Sequence, residues 1–214
     1  PLTSNYPKPE RPPEARFERS PVLQTLVVPH RSEPLALEVW RPSAGVRPSS
    51  SWVVLMPGLG GSQDHFRWLA RSLSSHGWSV VVLEHPGSNA EALQALLEGR
   101  RSPPGAEMLP ERLADLNSVL LAREERRLEV TGNRLVLIGH SLGALTALFA
   151  SGAYPEPGLA DRCEKALVDL SLTNLSQLLQ CQLVDVPLTK QPELNDLQAI
   201  VALNSFGSLL WPSI

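Results

Sequence analysis

The chain has 214 residues, 43% of them hydrophobic and 19% charged, and a formal net charge of −3 at pH 7. That length is most simply one domain with one sizeable core, and the composition is that of an ordinary globular protein. Nineteen basic against 22 acidic residues give no footprint for nucleic acid, and two cysteines are too few for a disulfide framework.

Residues 1–20 are proline-rich and read as an extended lead-in to a domain over residues 21–214. The start, PLTSNYPKPERPPEARF, has no apolar core segment, so no signal peptide is read there, which leaves cytoplasm as the default localisation. It also lacks an initiating Met, so the ends of this chain need not be natural ends. VLQTLVV (22–28) and PLALEVW (34–40) alternate in polarity and predict an antiparallel strand pair at a sheet edge.

From residue 51 the pattern changes. WVVLM (52–56) is a short, continuously apolar run ending in Pro57-Gly58-Leu59-Gly60-Gly61-Ser62. Phe66, Leu69, Ala70 and Leu73 recur at helical spacing behind it, with Ser62 a candidate N-cap and His76-Gly77 a stop. WSVVVLE (78–84) predicts a second buried strand, and a helix fits 111–127, with Leu113, Leu116, Val119 and Leu120 on one side. Its charged end, Arg123 to Arg127, reads as solvated. RLVLIG (134–139) is a third strand of this type, followed by a helix of small residues over Ala144–Ala150, and AIVALN (199–204) is a fourth. Uniformly apolar strands between amphipathic helices predict an α/β fold with a mostly parallel sheet covered on both faces.

Residues 153–196 read as an insertion or cap. Leu175, Leu178, Leu179 and Leu183 form a helical stripe there that packs over the sheet edge, over a site, or into the core. Cys163 and Cys181 read as two half-buried apolar side chains or as a single bridge. The most apolar window, 134–152, is interrupted by His140, Ser141 and three glycines, so no membrane span is expected.

The stretch Gly139-His140-Ser141-Leu142-Gly143 is G-x-S-x-G, placed where a strand runs into a helix. Such a turn holds its serine in a strained conformation, and side chains at the glycine positions would collide with neighbouring elements. The hydroxyl then stands at a helix N-terminus, where free N–H groups favour an oxyanion. Ser141 is thus the candidate nucleophile and Leu142 N–H one oxyanion donor. The second donor belongs in the loop after an earlier strand, which makes Leu59 N–H the candidate, with Gly60 second. Gly58-x-Gly60 followed by Glu84 also resembles a dinucleotide fingerprint, but Gln63 holds the third glycine position and Ser141 would go unexplained.

VVLMPGLGGSQDHFRWLARSLSSHGWSVVVLEHPGSN with GHSLGALTAL resembles the α/β-hydrolases called dienelactone hydrolases, a group related to platelet-activating-factor acetylhydrolases. The resemblance runs from about residue 22 to the end. It includes EHPGSN (84–89) and NLSQLLQCQ (174–182), as in cyanobacterial members. It implies an α/β-hydrolase fold and serine esterase chemistry on a small-molecule ester, with neither metal nor organic cofactor. By the match, Ser141 is the nucleophile and Leu59 and Leu142 the oxyanion donors. Many relatives have His-Gly where this chain has Pro57-Gly58, which changes the loop's side-chain hydrogen bonding but spares its backbone donor.

A serine nucleophile needs a base. In this fold the chain order is serine, acid, histidine, yet the five histidines, His30, His65, His76, His85 and His140, all precede Ser141. His85 is the best placed substitute, although a turn-stabilising role beside Pro86-Gly87 is the simpler expectation. His140 is expected to point away from Ser141 towards surrounding loops, and His65 and His76 to lie at the surface or cap the first helix. Asp161, Asp169, Asp185 and Asp196 read as helix and solvent positions. The expectation is therefore a hydrolase domain lacking its last strands, its triad acid and its histidine, with residual activity at best and an exposed sheet edge. The alternative is a non-catalytic module that binds a small apolar ligand in the same pocket.

Overall fold

Six strands, β1 (Val22–Leu26), β2 (Leu35–Trp40), β3 (Ser51–Met56), β4 (Ser79–Leu83), β5 (Arg134–His140) and β6 (Leu197–Leu203), form one sheet in the order β1-β2-β4-β3-β5-β6. This computed structural model describes residues 20–99, 105–168, 175–192 and 194–213; apart from Ser20, the proline-rich lead-in lies outside the described residues. β1 and β2 are antiparallel to their neighbours, while β4, β3, β5 and β6 run parallel, as the sequence predicts. Every residue of β3 and β4 is buried. A strand covered on both faces has no solvent side on which to place polar residues, hence the unbroken apolar runs.

Successive residues of these strands divide between two cores. Val53, Leu55, Val80, Val82, Val136 and Ile138 pack with Phe66 and Ala70 against α1 (Arg67–Ser75). Val54, Met56, Val81, Leu83 and Leu137 face the other way, against Leu113, Leu116 and Val119 of α3 (Leu109–Glu124) and Leu145 and Phe149 of α4 (Leu142–Ala150). Helix α1 follows a short 3-10 turn, Gln63–Phe66, and ends in a Schellman motif. There Gly77 N–H bonds Ser74 O at 3.1 Å, Trp78 N–H bonds Leu73 O at 3.1 Å, and Gly77 has φ +88°.

An eight-residue helix, α2 (Ala90–Leu97), adds an element the sequence reading left unassigned. Its capping signal is Asn89, whose Oδ1 accepts the Ala92 N–H at 3.1 Å. Two turns are too few to set up a legible periodicity.

Helices α5 (Leu159–Val168) and α6 (Leu175–Cys181) occupy the stretch between α4 and β6. Of the two open readings for the cysteines, the bridge is found: Cys163 and Cys181 join α5 to α6 with Cα atoms 5.5 Å apart. The leucine stripe turns mostly inward. Leu183 is buried in the larger core and Leu179 packs against it, while the Leu175 side chain lies outside the described residues. Among the described residues no helix is long and apolar enough to cross a membrane.

Candidate active site

Ser141 stands between β5 and α4 with φ 53° and ψ −117°, a region that side-chain-bearing residues rarely occupy. Its N–H extends the sheet ladder to Leu203 O at 2.9 Å and its carbonyl starts the helix by accepting Leu145 N–H at 3.1 Å. The strained residue is therefore pinned on both sides. The flanking glycines are required by contact. A Cβ on Gly139 would meet Gly143 O at 2.1 Å, and one on Gly143 would meet Met56 O at 2.1 Å. Gly58 serves the same purpose from the facing loop, where a Cβ would stand 2.9 Å from the Ser141 Cβ.

Helix α4 is buried nearly all round, with only Leu148 partly open to solvent, so its small residues let it press directly on the sheet. Leu142 is its first residue, and its N–H is one of the four that no helix can satisfy internally. The loop after β3 lies opposite. Gly60, the second-choice donor, is already committed, because its N–H bonds Ser88 O at 2.8 Å. Leu59 lines the same cavity as Ser141.

Two cavities meet at Ser141. One, of about 400 Å³, has Leu59, Phe66, Trp68 and Leu203 in its walls and is mostly apolar; Trp68 stands 69% exposed at its edge. The other, of about 550 Å³, is bordered by Leu179, Asn204, Ser205 and Phe206. Asn204 adopts φ 47° at the end of β6. The sequence reading missed it as a pocket residue, and an asparagine directly after an apolar strand, tolerant of left-handed backbone, was the available signal.

None of the histidines is hydrogen-bonded to Ser141 among the described residues. His65 and His140 do line the first cavity. His65 accepts the Ser62 N–H on Nδ1 at 3.3 Å, so the expected capping residue is also a pocket residue. His76 bonds Ser72 O at 2.8 Å at the end of α1. His85 is turned into the protein, where its Nδ1 lies 2.9 Å from Asp115 Oδ2 and its carbonyl accepts Ser88 N–H at 3.3 Å, the turn-stabilising role expected of it.

Asp115, fully buried on α3, also accepts from His30 Nε2 at 2.8 Å and from Arg31 Nε and Nη2 at 2.6 and 2.9 Å. Burial opposes its ionisation, but the hydrogen bonds from His85 and Arg31 prevail and hold its pKa at about 2. An ionised carboxylate only accepts, so His85 Nδ1 carries the proton, while Nε2 is buried with no hydrogen-bond partner among the described residues. Burial first, and then the Arg112 charge, push the His85 pKa down to about 3 against the pull of Asp115. A base that weak takes no proton from a serine near neutral pH. Asp161, Asp185 and Asp196 line neither cavity at Ser141, and Asp169 lies outside the described residues. Among the described residues no group of three or more His, Cys, Asp or Glu is arranged to hold a metal ion.

The chain matches the model of the alpha/beta hydrolase family over residues 53–207, well over half its length. No curated protein matches it. Among solved structures it is similar to an a/b serine hydrolase without lid from Xanthomonas campestris, at 24% identity and a TM-score of 0.44, covering 63% of this chain and 57% of that one. It is also similar to Est1E from Butyrivibrio proteoclasticus, at 13% identity, 61% and 45% coverage and a TM-score of 0.43. A thermostable carboxyl esterase from Bacillus coagulans matches at 14% identity, 75% and 56% coverage and a TM-score of 0.43. The chain spans about half the length of these proteins.

Proposed function

Because this chain belongs to the alpha/beta hydrolase family, we propose that it carries the nucleophile and oxyanion half of a serine hydrolase acting on carboxylic esters. The observation that carries the reading is the Ser141 backbone, held at φ 53° and ψ −117° beside a cavity it shares with Leu59. Strain of that kind costs of order 1–3 kcal/mol and persists where the surrounding structure imposes it. Here Gly139, Gly143 and Gly58 make room for it.

In the proposed reaction the Ser141 oxygen attacks the ester carbonyl carbon and its proton passes to a general base. The carbonyl oxygen becomes an oxyanion that accepts hydrogen bonds from the Leu59 and Leu142 N–H groups. Collapse breaks the ester C–O bond, the alcohol leaves with a proton, and water then releases the acid from Ser141. The base follows the nucleophile and the acid in the chain order of this fold. The substrate is a small-molecule ester with one apolar arm, matched to Phe66, Trp68 and Leu203. The segments EHPGSN (84–89) and NLSQLLQCQ (174–182) support a place among the dienelactone hydrolase-like members of the family. Residues 153–196 are proposed as a cap, since Leu179 borders the second cavity at Ser141.

Labelling with a fluorophosphonate, followed by peptide mass spectrometry, tests this. The expected result is a single adduct on Ser141 that disappears in Ser141→Ala. Label that forms on another residue, or that persists in Ser141→Ala, would end the reading of Ser141 as the nucleophile.

A further inference from the structure

Arg112 is 1% exposed, the largest of the fully buried side chains among the described residues, and its guanidinium bonds three separate elements. Nε donates to Thr146 Oγ1 in α4 at 3.1 Å, Nη1 donates to Ser88 Oγ in the loop after β4 at 2.7 Å, and Nη2 donates to Pro57 O, the carbonyl from which the loop after β3 departs. Two of these contacts relay further. Thr146 Oγ1 donates to Leu142 O at 2.8 Å, and Ser88 O accepts the Gly60 N–H at 2.8 Å. One cation thereby grips both ends of the Leu59 loop, directly at Pro57 and through Ser88 at Gly60. It also grips the first turn of α4, which begins at Leu142.

From this geometry we infer that Arg112 is a positioning residue that sets the separation of the Leu59 and Leu142 amides across Ser141. The inference rests on the serine-hydrolase reading and adds to it a residue that touches neither substrate nor nucleophile. The chemistry favours this role over simple stabilisation. A buried cation pays heavily for lost hydration, and an apolar side chain of similar volume often serves stability equally well. The planar, three-sided fork of arginine offers something a hydrocarbon lacks, fixed directions to three acceptors at once. Lysine would keep the charge and lose that spread.

The test is the reaction of the 214-residue chain with a fluorophosphonate, resolved into its binding constant and maximal rate of inactivation, for Arg112→Lys, Arg112→Met and Thr146→Val. Folding is checked by circular dichroism and melting. Thr146→Val is the mild variant, because it cuts one arm of the fork and leaves the buried cation in place. If Arg112 positions the amides, Thr146→Val lowers the maximal rate by about 10-fold and both Arg112 variants lower it by roughly 10²-fold, the loss seen on removing one oxyanion donor. The binding constant stays within about 2-fold. A folded Thr146→Val or Arg112→Lys chain that reacts at the wild-type rate overturns the inference, and so does a loss confined to the binding constant. If the label goes to a residue other than Ser141, the serine-hydrolase reading falls and this inference falls with it. A labelled wild type with insensitive variants removes this inference alone.

Discussion

The His85–Asp115 contact makes the stability of this protein depend on pH in a calculable way. His85 has a folded pKa of about 3 against 6.5 for a free histidine, so the folded chain keeps it neutral while the unfolded chain protonates it on acidification. The unfolded state binds the extra proton below pH 6.5. The stabilisation is therefore complete above 6.5 and is lost as pH falls from there towards 3. Integrating from pH 7 to pH 4 gives a loss of ~3 kcal/mol from this one group, with a slope of ~1.4 kcal/mol per pH unit between 6 and 4. Asp115, held at about 2 rather than 3.8, adds a loss of the same sign below pH 4. Urea denaturation at pH 7, 6, 5 and 4 on the wild type and His85→Gln isolates the effect, because glutamine can still donate to Asp115 but does not titrate. The wild type is expected to be the more stable at pH 7 and to lose ~3 kcal/mol of its margin over the variant by pH 4. Parallel stability curves for the two proteins would refute the argument, since they would mean that His85 titrates alike in both states.

Three further outcomes follow from the geometry. Ser141→Gly should melt above Ser141→Ala by ~2–4 °C, since both lose the hydroxyl but only glycine relieves the backbone at φ 53°, by about 1 kcal/mol net of its own entropy cost; differential scanning calorimetry that ranks alanine equal or higher would remove the claim of strain. Gly143→Ala should cost ~2–4 kcal/mol in chemical denaturation and abolish fluorophosphonate labelling, because its Cβ would meet Met56 O at 2.1 Å and Pro57 O at 2.8 Å, both backbone atoms. The Cys163–Cys181 bridge closes a separation of 18 residues, so the double Cys→Ser variant should be less stable by about 3 kcal/mol and be cleaved faster by protease within 159–181.

The parts of the candidate site that were readable in sequence are those whose chemistry is local. Gly139, Ser141 and Gly143 announce themselves because a turn without room for Cβ atoms leaves glycine as the sole option at fixed offsets from the serine. Leu142 follows by adjacency. Leu59 was reachable only as the residue between Gly58 and Gly60, and what excludes Gly60, its bond to Ser88 O, joins residues 28 apart. Arg112 and Asp115 were not singled out in the sequence. A signal existed, since positions 109, 112, 116 and 119 share one face and Arg112 is the charged member of an otherwise apolar stripe that the structure buries.

The sequence alone was sufficient for the order of the six strands along the chain, for helices α1, α3 and α4, for the parallel half of the sheet and for the kink at Ser141. Each follows from side-chain period and backbone sterics, which act over a few residues. The pairing of Cys163 with Cys181, the committed Gly60 amide, the inward turn of His85 and the three-way grip of Arg112 were decided by tertiary structure. These depend on which distant groups share a volume from which water is excluded. There an unmet hydrogen bond or unpaired charge costs several kcal/mol, so the polar atoms must find one another across the chain, and no short stretch of it records with whom.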